Sequence, residues 1–168
     1  MSEQHGAATD NAMTRIRDVM STRVHSVRTT ETLEHAALRM WSSDIGVLPV
    51  VDAIGQVVGM LSDRDIAMAA GLRGLRLADL EVESAMSCHV WGCAPDDNLE
   101  DAEASMREHQ VRRLPVIDNA EHLVGIVSLT DLARAANLEV SDHQQAVGRT
   151  LHAITTPRRS RLTLSVSA

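Results

Sequence analysis

Aromatic side chains are nearly absent from this chain of 168 residues, which contains two tryptophans, Trp41 and Trp91, and no phenylalanine or tyrosine. Its core must therefore be filled by aliphatic residues and methionine, and the 44% hydrophobic content is ordinary for a globular protein. The shortage of aromatic rings argues against recognition of single-stranded nucleic acid by base stacking. Basic residues are also the minority, 16 against 23 acidic ones, and the net charge of -7 would repel a phosphate backbone.

Long apolar runs and cysteines are scarce as well. No stretch approaches the roughly 18 residues that a membrane helix needs, and the polar residues 2–11 lack the apolar core of a signal peptide. We therefore expect a cytoplasmic protein with no membrane partner. Cys88 and Cys93 are the only cysteines, and such a pair in a cytosolic chain favours two free thiols. With His89 they offer three soft ligands, but nothing supplies the further ligands of a structural zinc site, so no metal is expected.

One short motif occurs twice. Residues 59–65 read glycine, two apolar residues, serine, two variable residues and aspartate, and residues 125–131 repeat the pattern 66 positions later. A serine followed by an acid three residues on, directly after an apolar strand, predicts the start of a helix. The two polar side chains either cap that helix or use its free N–H groups and positive dipole end to hold a ligand. One copy taken alone leaves both interpretations open.

The residues before the motif predict a short helical turn, a strand, a helix and a hairpin. Residues 14–20 show apolar side chains at helical spacing, and residues 24–27 form a short apolar segment typical of a strand. The helix of about three turns has an apolar stripe: Leu33, Ala36, Ala37, Met40 and Trp41. Residues 47–51 and 57–61 predict the two strands of a hairpin, with Pro49 at an edge, a bulge or a strand end. A second helix should follow from Asp63 to about Ala70, stopped by Gly71 and Gly74.

The whole order of elements returns without an insertion when the chain is shifted by 66 positions. Leu48-Pro49-Val50 meets Leu114-Pro115-Val116, and the leading Met20-Ser21 meets Met86-Ser87. A unit of about 50 residues is too small to bury its apolar face alone, so the copies should pack on each other. We expect units at residues 14–74 and 75–137, the latter opening with a linker helix, then a C-terminal helix at 138–156. Residues 1–13 and 157–168 are expected to be flexible tails.

Two tandem units with this strand order, a Leu-Pro-Val strand and a Gly-apolar-apolar-Ser-x-x-Asp motif resemble the cystathionine β-synthase (CBS) domain pair, or Bateman module. The resemblance covers residues 14–137. It implies an α+β (α/β) fold in which each unit has a three-stranded sheet with two packed helices and a pseudo-twofold axis relates the units. It also implies clefts between the units that bind adenosine-containing ligands, foremost AMP, ADP or ATP and less readily NADH or S-adenosylmethionine, and assembly into a homodimer.

In this family the aspartate of the motif holds ribose hydroxyls and the segment before the proline strand lines the adenine pocket. Carried over residue by residue, the resemblance gives candidate ligand-binding residues in both copies: Val24, Ile45, Gly46, Pro49, Ser62, Arg64 and Asp65, and Val90, Val111, Arg112, Arg113, Pro115, Ser128, Thr130 and Asp131. Arg112 and Arg113 align with Gly46 and Val47, so the clefts are chemically unequal. We expect a phosphorylated ligand at the second copy's motif, with Ser128, Asp131 and Arg112 as its main contacts, because Asp63 adds negative charge at the first.

No catalytic constellation competes with this interpretation, since the chain has no nucleophile elbow and no Walker-type or Rossmann glycine loop. We expect a stand-alone regulatory module, not an enzyme, that binds an adenine nucleotide, requires no cofactor and signals in trans to an unknown effector protein. The alternative is a ligand-free interaction or stress-response module whose serine and aspartate residues act only as caps. A redox switch at Cys88 and Cys93 is a third possibility, although Cys93 aligns with apolar Val27, which favours a buried inert thiol.

Overall fold

The computed structural model describes residues 14–136 and 142–155; the tails predicted at 1–13 and 157–168 lie outside them. The first copy contains six elements: α1 (Ile16–Val19), β1 (Val27–Arg28), α2 (Leu33–Ser43), β2 (Val47–Val51), β3 (Val57–Ser62) and α3 (Asp63–Arg73). Two 3₁₀ turns, Leu77–Asp79 and Val82–Ser84, stand where a linker helix was expected. The second copy follows with five elements: α4 (Leu99–His109), β4 (Arg113–Ile117), β5 (Leu123–Ser128), α5 (Leu129–Ala136) and α6 (Asp142–Thr155).

The predicted hairpin is confirmed in both copies. β2 pairs antiparallel with β3, and β4 pairs with β5 in the same register 66 residues on, so that Leu48 faces Leu61 and Leu114 faces Val127. β1 runs parallel to β2 and completes a three-stranded sheet in the first copy. In the second copy the corresponding strand is reduced to one bridge between Cys93 and Val116, so the expected third strand is incomplete there.

The strand and helix boundaries differ from the prediction in small ways. β1 begins only at Val27, and its pairing with β2 begins at Val50, which leaves Pro49 just beyond that ladder. Helix α3 continues past Gly71 to Arg73 and ends at Gly74, whose φ of 62° is the left-handed cap conformation that glycine adopts without strain. A glycine without that conformation, such as Gly71, weakens a helix but does not stop it.

The apolar stripe of α2 is narrower than predicted. Leu33, Ala36 and Met40 are buried beneath the helix, which starts where the Thr32 hydroxyl accepts a hydrogen bond from the His35 N–H. Trp41, assigned to the same stripe, is 87% exposed. It lies at the edge of the stripe beside α3, over a surface groove, and not against the sheet.

The leading segment of each copy packs into the other copy's core. Ile16 on α1 is fully buried with the residues of the second core, and Val82, which lies 66 residues later, is fully buried in the first. Two equivalent bridges hold the crossed segments, one from Ser21 to Ile126 and one from Met60 to Ser87. The predicted packing of the copies on each other is therefore confirmed, and it takes the form of a reciprocal exchange.

Glycine in the repeated motif permits this exchange. A Cβ on Gly59 would lie 2.8 Å from the Met86 sulfur and 2.9 Å from the Ser87 carbonyl oxygen. A Cβ on Gly125 would lie 2.5 Å from the sulfur of Met20. The motif glycine of each copy therefore contacts the leading Met-Ser segment of the other copy, which explains why both features are repeated at the same spacing.

Candidate ligand-binding cleft

Both Ser-x-x-Asp motifs form complete helix caps. At the start of α5, the Ser128 hydroxyl accepts from the Asp131 N–H at 3.2 Å, while Asp131 Oδ2 accepts from the Ser128 N–H at 2.9 Å and from its hydroxyl at 2.5 Å. Ser62 and Asp65 repeat these bonds at the start of α3, at 3.3, 2.9 and 2.6 Å. The capping interpretation is therefore correct for both motifs. Each cap occupies one carboxylate oxygen of its aspartate, Oδ2.

The second copy's motif also borders a cleft between the two units. The cleft has a volume of about 220 Å³. One wall comes from the leading segment of the first unit and the entry to β2, and the other from β4, β5 and the start of α5. The lining residues are Ser21, Arg23, Val24, His25, Ile45, Val47, Arg113, Ile126, Ser128 and Asp131. The structure thus brings together five of the residues named from the sequence: Val24, Ile45, Arg113, Ser128 and Asp131.

The other candidates of the second copy lie elsewhere. Arg112, expected as a main contact, is exposed and uses its carbonyl oxygen to accept from the Leu129 N–H at 3.0 Å; its neighbour Arg113 lines the cleft instead. Thr130 is exposed on the first turn of α5. Val111 packs against the second core, and Pro115 is buried in the β4–β5 ladder opposite Ile126.

The first copy's motif has a different surrounding. Asp63 donates its N–H to the Gly46 carbonyl, and a Cβ on Gly46 would lie 3.0 Å from the Asp63 carboxylate, so these two residues border a separate groove. Arg64 is exposed, and Pro49 is buried opposite Met60.

On the leading segment of the second unit, half-buried Val90 precedes Trp91, which stacks in parallel on His109 with ring centroids 3.5 Å apart. The aligned residue on the first unit's leading segment is His25, which lines the cleft. The two units therefore carry different rings at this aligned position, an imidazole in the first unit and an indole in the second.

Four lining residues were not named as candidates from the sequence: Ser21, Arg23, His25 and Ile126. Val47, which also lines the cleft, belongs to the segment before the proline strand that was expected to line the pocket. Three of the four, Ser21, Arg23 and His25, belong to the leading segment, of which only Val24 was named as a candidate. The repeated Met-Ser pair could have pointed to this segment, because it recurs at the same spacing as the motif glycine that it contacts.

Two ionisable side chains are buried in the part of the chain that the structure describes, the Cys93 thiol and the Glu103 carboxyl on α4. Burial, together with the nearby Asp97 carboxylate, raises the pKa of Cys93 to about 12. Cys88 is exposed, and both cysteines are free. Between residues 14 and 155, leaving out 137–141, no group of three or more His, Cys, Asp or Glu side chains could hold a metal ion. Over the same residues no helix is both long enough and apolar enough to cross a membrane.

Two units with exchanged leading segments, capped Ser-x-x-Asp motifs and a cleft between them define a tandem CBS pair. The CBS domain family model matches residues 16–71 and 81–137, and the chain belongs to this family. It is 41% identical over 121 residues to the CBS domain-containing protein YhcV of Bacillus subtilis, covering 72% of this chain and 84% of that protein. It is also 38% identical over 123 residues to hypoxic response protein 1 of Mycobacterium tuberculosis, covering 73% and 85%.

Solved structures agree with this assignment. The CBS domain pair of protein MJ0100, crystallised with methylthioadenosine and S-adenosyl-L-methionine, superposes with a TM-score of 0.67 at 25% identity, covering 74% of this chain and 97% of that one. The fold is therefore α+β with two CBS units.

Proposed function

We propose that this CBS pair is a stand-alone regulatory module that binds an adenosine-containing ligand in the cleft and reports its occupancy to a partner protein. The observation that carries the proposal is that both units build the cleft, Val24 and Ile45 from the first and Arg113, Ser128 and Asp131 from the second. A ligand seated there contacts both units and biases how they are held together. The adenosyl ligands of the MJ0100 CBS pair support the same ligand class.

Each part of an adenine nucleotide has a counterpart in the cleft. Val24 and Ile45 offer aliphatic surface to a base. Oδ2 of Asp131 is engaged in the helix cap, and the remaining lone pairs of the carboxylate can accept hydrogen bonds from vicinal ribose hydroxyls. Arg113 and Arg23 supply positive charge for a phosphate. We therefore favour AMP, ADP or ATP over NADH or S-adenosylmethionine.

The output of such a module is a change in contacts, not a chemical step. The proposal accordingly includes a homodimer and an effector protein that senses the ligand-bound arrangement, and it requires no cofactor and no catalytic residue. Nucleic acid is not the proposed partner, because the net charge of -7 opposes it.

Thermal unfolding and titration calorimetry with AMP, ADP, ATP, NADH and S-adenosylmethionine test the proposal. A ligand at 100 times its dissociation constant stabilises the native state by about 2.7 kcal/mol, which corresponds to a rise in Tm of about 5 to 10 °C for a chain of this size. We expect the largest rise with one of the adenine nucleotides. Unchanged melting curves and no heat of binding for all five compounds would refute ligand sensing.

Two matched pairs of variants locate the site. Asp131→Ala and Asp65→Ala each remove the aspartate's bonds from an equivalent capping box and should cost about 1 kcal/mol of unfolding free energy, but only Asp131→Ala should weaken ligand binding. Arg113→Gln should weaken AMP binding by about tenfold, the loss of one charged hydrogen bond, and leave adenosine binding unchanged. Arg112→Gln, one residue away and outside the cleft, is its control. Equal effects within either pair would contradict the assignment.

A second function rests on the complete caps. If Ser62, Asp65, Ser128 and Asp131 serve only as caps, the chain is an interaction module that binds a partner without a ligand. Asp65→Ala and Asp131→Ala would then lower stability equally and leave capture of the partner unchanged, and none of the nucleotides would raise the Tm.

A further inference from the structure

The helical faces of the two units are covered differently. In the second unit α6 lies across α4 and α5. On α6 itself, Thr150 is fully buried and Ile154 packs against the second core, and Arg107 on α4 donates a hydrogen bond to the Thr150 hydroxyl. The equivalent face of the first unit, made by α2 and α3, carries an open groove, and Trp41 stands 87% exposed at its side.

The groove has the chemistry of a docking site for a cationic, partly apolar segment. Its volume is about 430 Å³, and its lining residues are Ala37, Met40, Trp41, Asp44, Ile45, Gly46, Asp63, Ile66 and Ala67. Aliphatic and small side chains provide most of this surface, and the charged residues among them, Asp44 and Asp63, are both acidic. An occupant that buries Trp41 and pairs with these carboxylates is stabilised both by burial of apolar surface and by charge attraction.

The chain itself contains a segment of this composition. Residues 156–168 follow α6 and include Arg158, Arg159 and Arg161, with no aspartate or glutamate. Leu162 and Leu164 come directly after the arginines. In a protein of net charge -7, this is a concentrated stretch of positive and apolar side chains.

Contacts of the described residues link the end of α6 to the groove through the cleft. The Gln110 side chain, at the end of α4, donates to the Ala153 carbonyl at 3.3 Å. Three residues on, Arg113 lines the cleft together with Ile45, and Ile45 also lines the groove. A path from the end of α6 to the groove therefore runs from Gln110 to Arg113 and across the cleft to Ile45. Thirteen residues, 156 to 168, span up to about 43 Å when extended, which is ample for this distance.

We propose that residues 156–168 dock in the α2–α3 groove of their own chain, with the arginines on Asp44 and Asp63 and the leucines against Trp41. The segment then covers the first unit's helical face as α6 covers the second's. Tethering gives it an effective concentration in the millimolar range, so weak contacts suffice. The proposal does not depend on ligand binding in the cleft.

Acrylamide quenching of Trp41 tests the docking, in a Trp91→Phe background where Trp41 is the single tryptophan. Ending the chain after Thr155 should raise the quenching constant about twofold or more, since a segment docked most of the time hides the indole in that fraction. The double substitution Asp44→Asn with Asp63→Asn in the full chain should have the same effect. A synthetic peptide of residues 156–168 should restore protection to the shortened chain.

Three controls accompany the quenching experiment. Glu100→Gln with Glu108→Gln removes the same charge from exposed positions on α4 and should leave quenching unchanged. A peptide with glutamate at positions 158, 159 and 161 should not protect Trp41. Protection should fade in 1 M salt, where the screening length drops to about 3 Å. Equal quenching of the full and shortened chains would overturn the proposal. Protection that grows with protein concentration would also overturn it, by assigning the groove to a second copy.

Discussion

At the scale of single residues, the helix cap engages only one carboxylate oxygen of each motif aspartate. Asp131 Oδ2 accepts from both the N–H and the hydroxyl of Ser128, whereas Oδ1 lies 3.5 Å from the Arg134 guanidinium. Because the cap uses one oxygen, capping and the proposed ribose contact would not compete for the same atom. The sequence motif is compatible with both roles together, but residue types and spacing do not show which oxygen is engaged.

The arginine pair shows a second limit of sequence reasoning. Arg112 and Arg113 have the same charge and adjacent positions, and both precede the proline strand. Successive side chains at a strand point to opposite sides, so only one of the two can face the cleft. The strand begins at Arg113, and it is this side chain that lines the cleft. The choice depends on where pairing starts, and the strand pattern alone fixes that only to within a residue or two.

The two thiols should react very differently. Burial raises the pKa of Cys93 to about 12, so its reactive thiolate is scarce near neutral pH, whereas Cys88 is exposed. We expect Ellman's reagent to modify one thiol per native chain and the second only when urea unfolds the protein. Cys88→Ser should abolish the fast reaction, and Cys93→Ser should leave it intact. Rapid modification of both thiols in the native chain would contradict the inert role of Cys93 and would favour the redox function.

At the scale of elements, the hairpins could be predicted almost residue for residue, because two apolar runs flank a turn whose aspartate organises it. Asp52 Oδ1 accepts from the N–H groups of Ile54 and Gln56, and Asp118 does the same for Ala120 and His122. The crossing of the leading segments could not be predicted in this way. A repeat aligns Ile16 with Val82 but does not say which core each of them enters.

The crossing gives the motif glycines a measurable role. A Cβ on Gly125 would first meet the flexible sulfur of Met20, whereas a Cβ on Gly59 would also lie 2.9 Å from the Ser87 backbone oxygen. Each glycine-to-alanine substitution should lower the unfolding free energy by about 1 to 3 kcal/mol. Met20→Ala should recover part of the loss from Gly125→Ala, while Met86→Ala should recover less of the loss from Gly59→Ala.

Urea unfolding of the four single and two double variants measures the two coupling energies. Contacting residues typically couple by about 0.5 to 3 kcal/mol, and the Gly125–Met20 value should be the larger. Additive effects in both cycles would mean that the close approach of the leading segment carries no energetic constraint. Equal coupling energies in the two cycles would mean that the Ser87 backbone can shift away from an added Cβ as easily as a methionine side chain can.

At the scale of the whole molecule, the exchange makes the two units one cooperative structure. The second core contains Ile16 from helix α1, and the first core contains Leu80 and Val82 from the segment that opens the second unit. The hairpin ends also meet, because the Gln56 side chain donates to the Ala120 carbonyl at 3.2 Å. Neither unit can lose its core without releasing a segment that the other needs, which is also how a ligand at their shared cleft could influence both.

Loss of one buried side chain in one unit should therefore weaken the other equally. Ile16→Ala empties a fully buried site in the second core and should cost about 2 to 5 kcal/mol of unfolding free energy. Hydrogen exchange should then speed up by the same factor in the protected amides of both hairpins, β2–β3 and β4–β5, because global unfolding exposes them together. Ile54→Ala, at a site 69% exposed on the hairpin turn, is the control and should change neither. Faster exchange confined to β4–β5 would show that the units unfold separately despite the crossed segments.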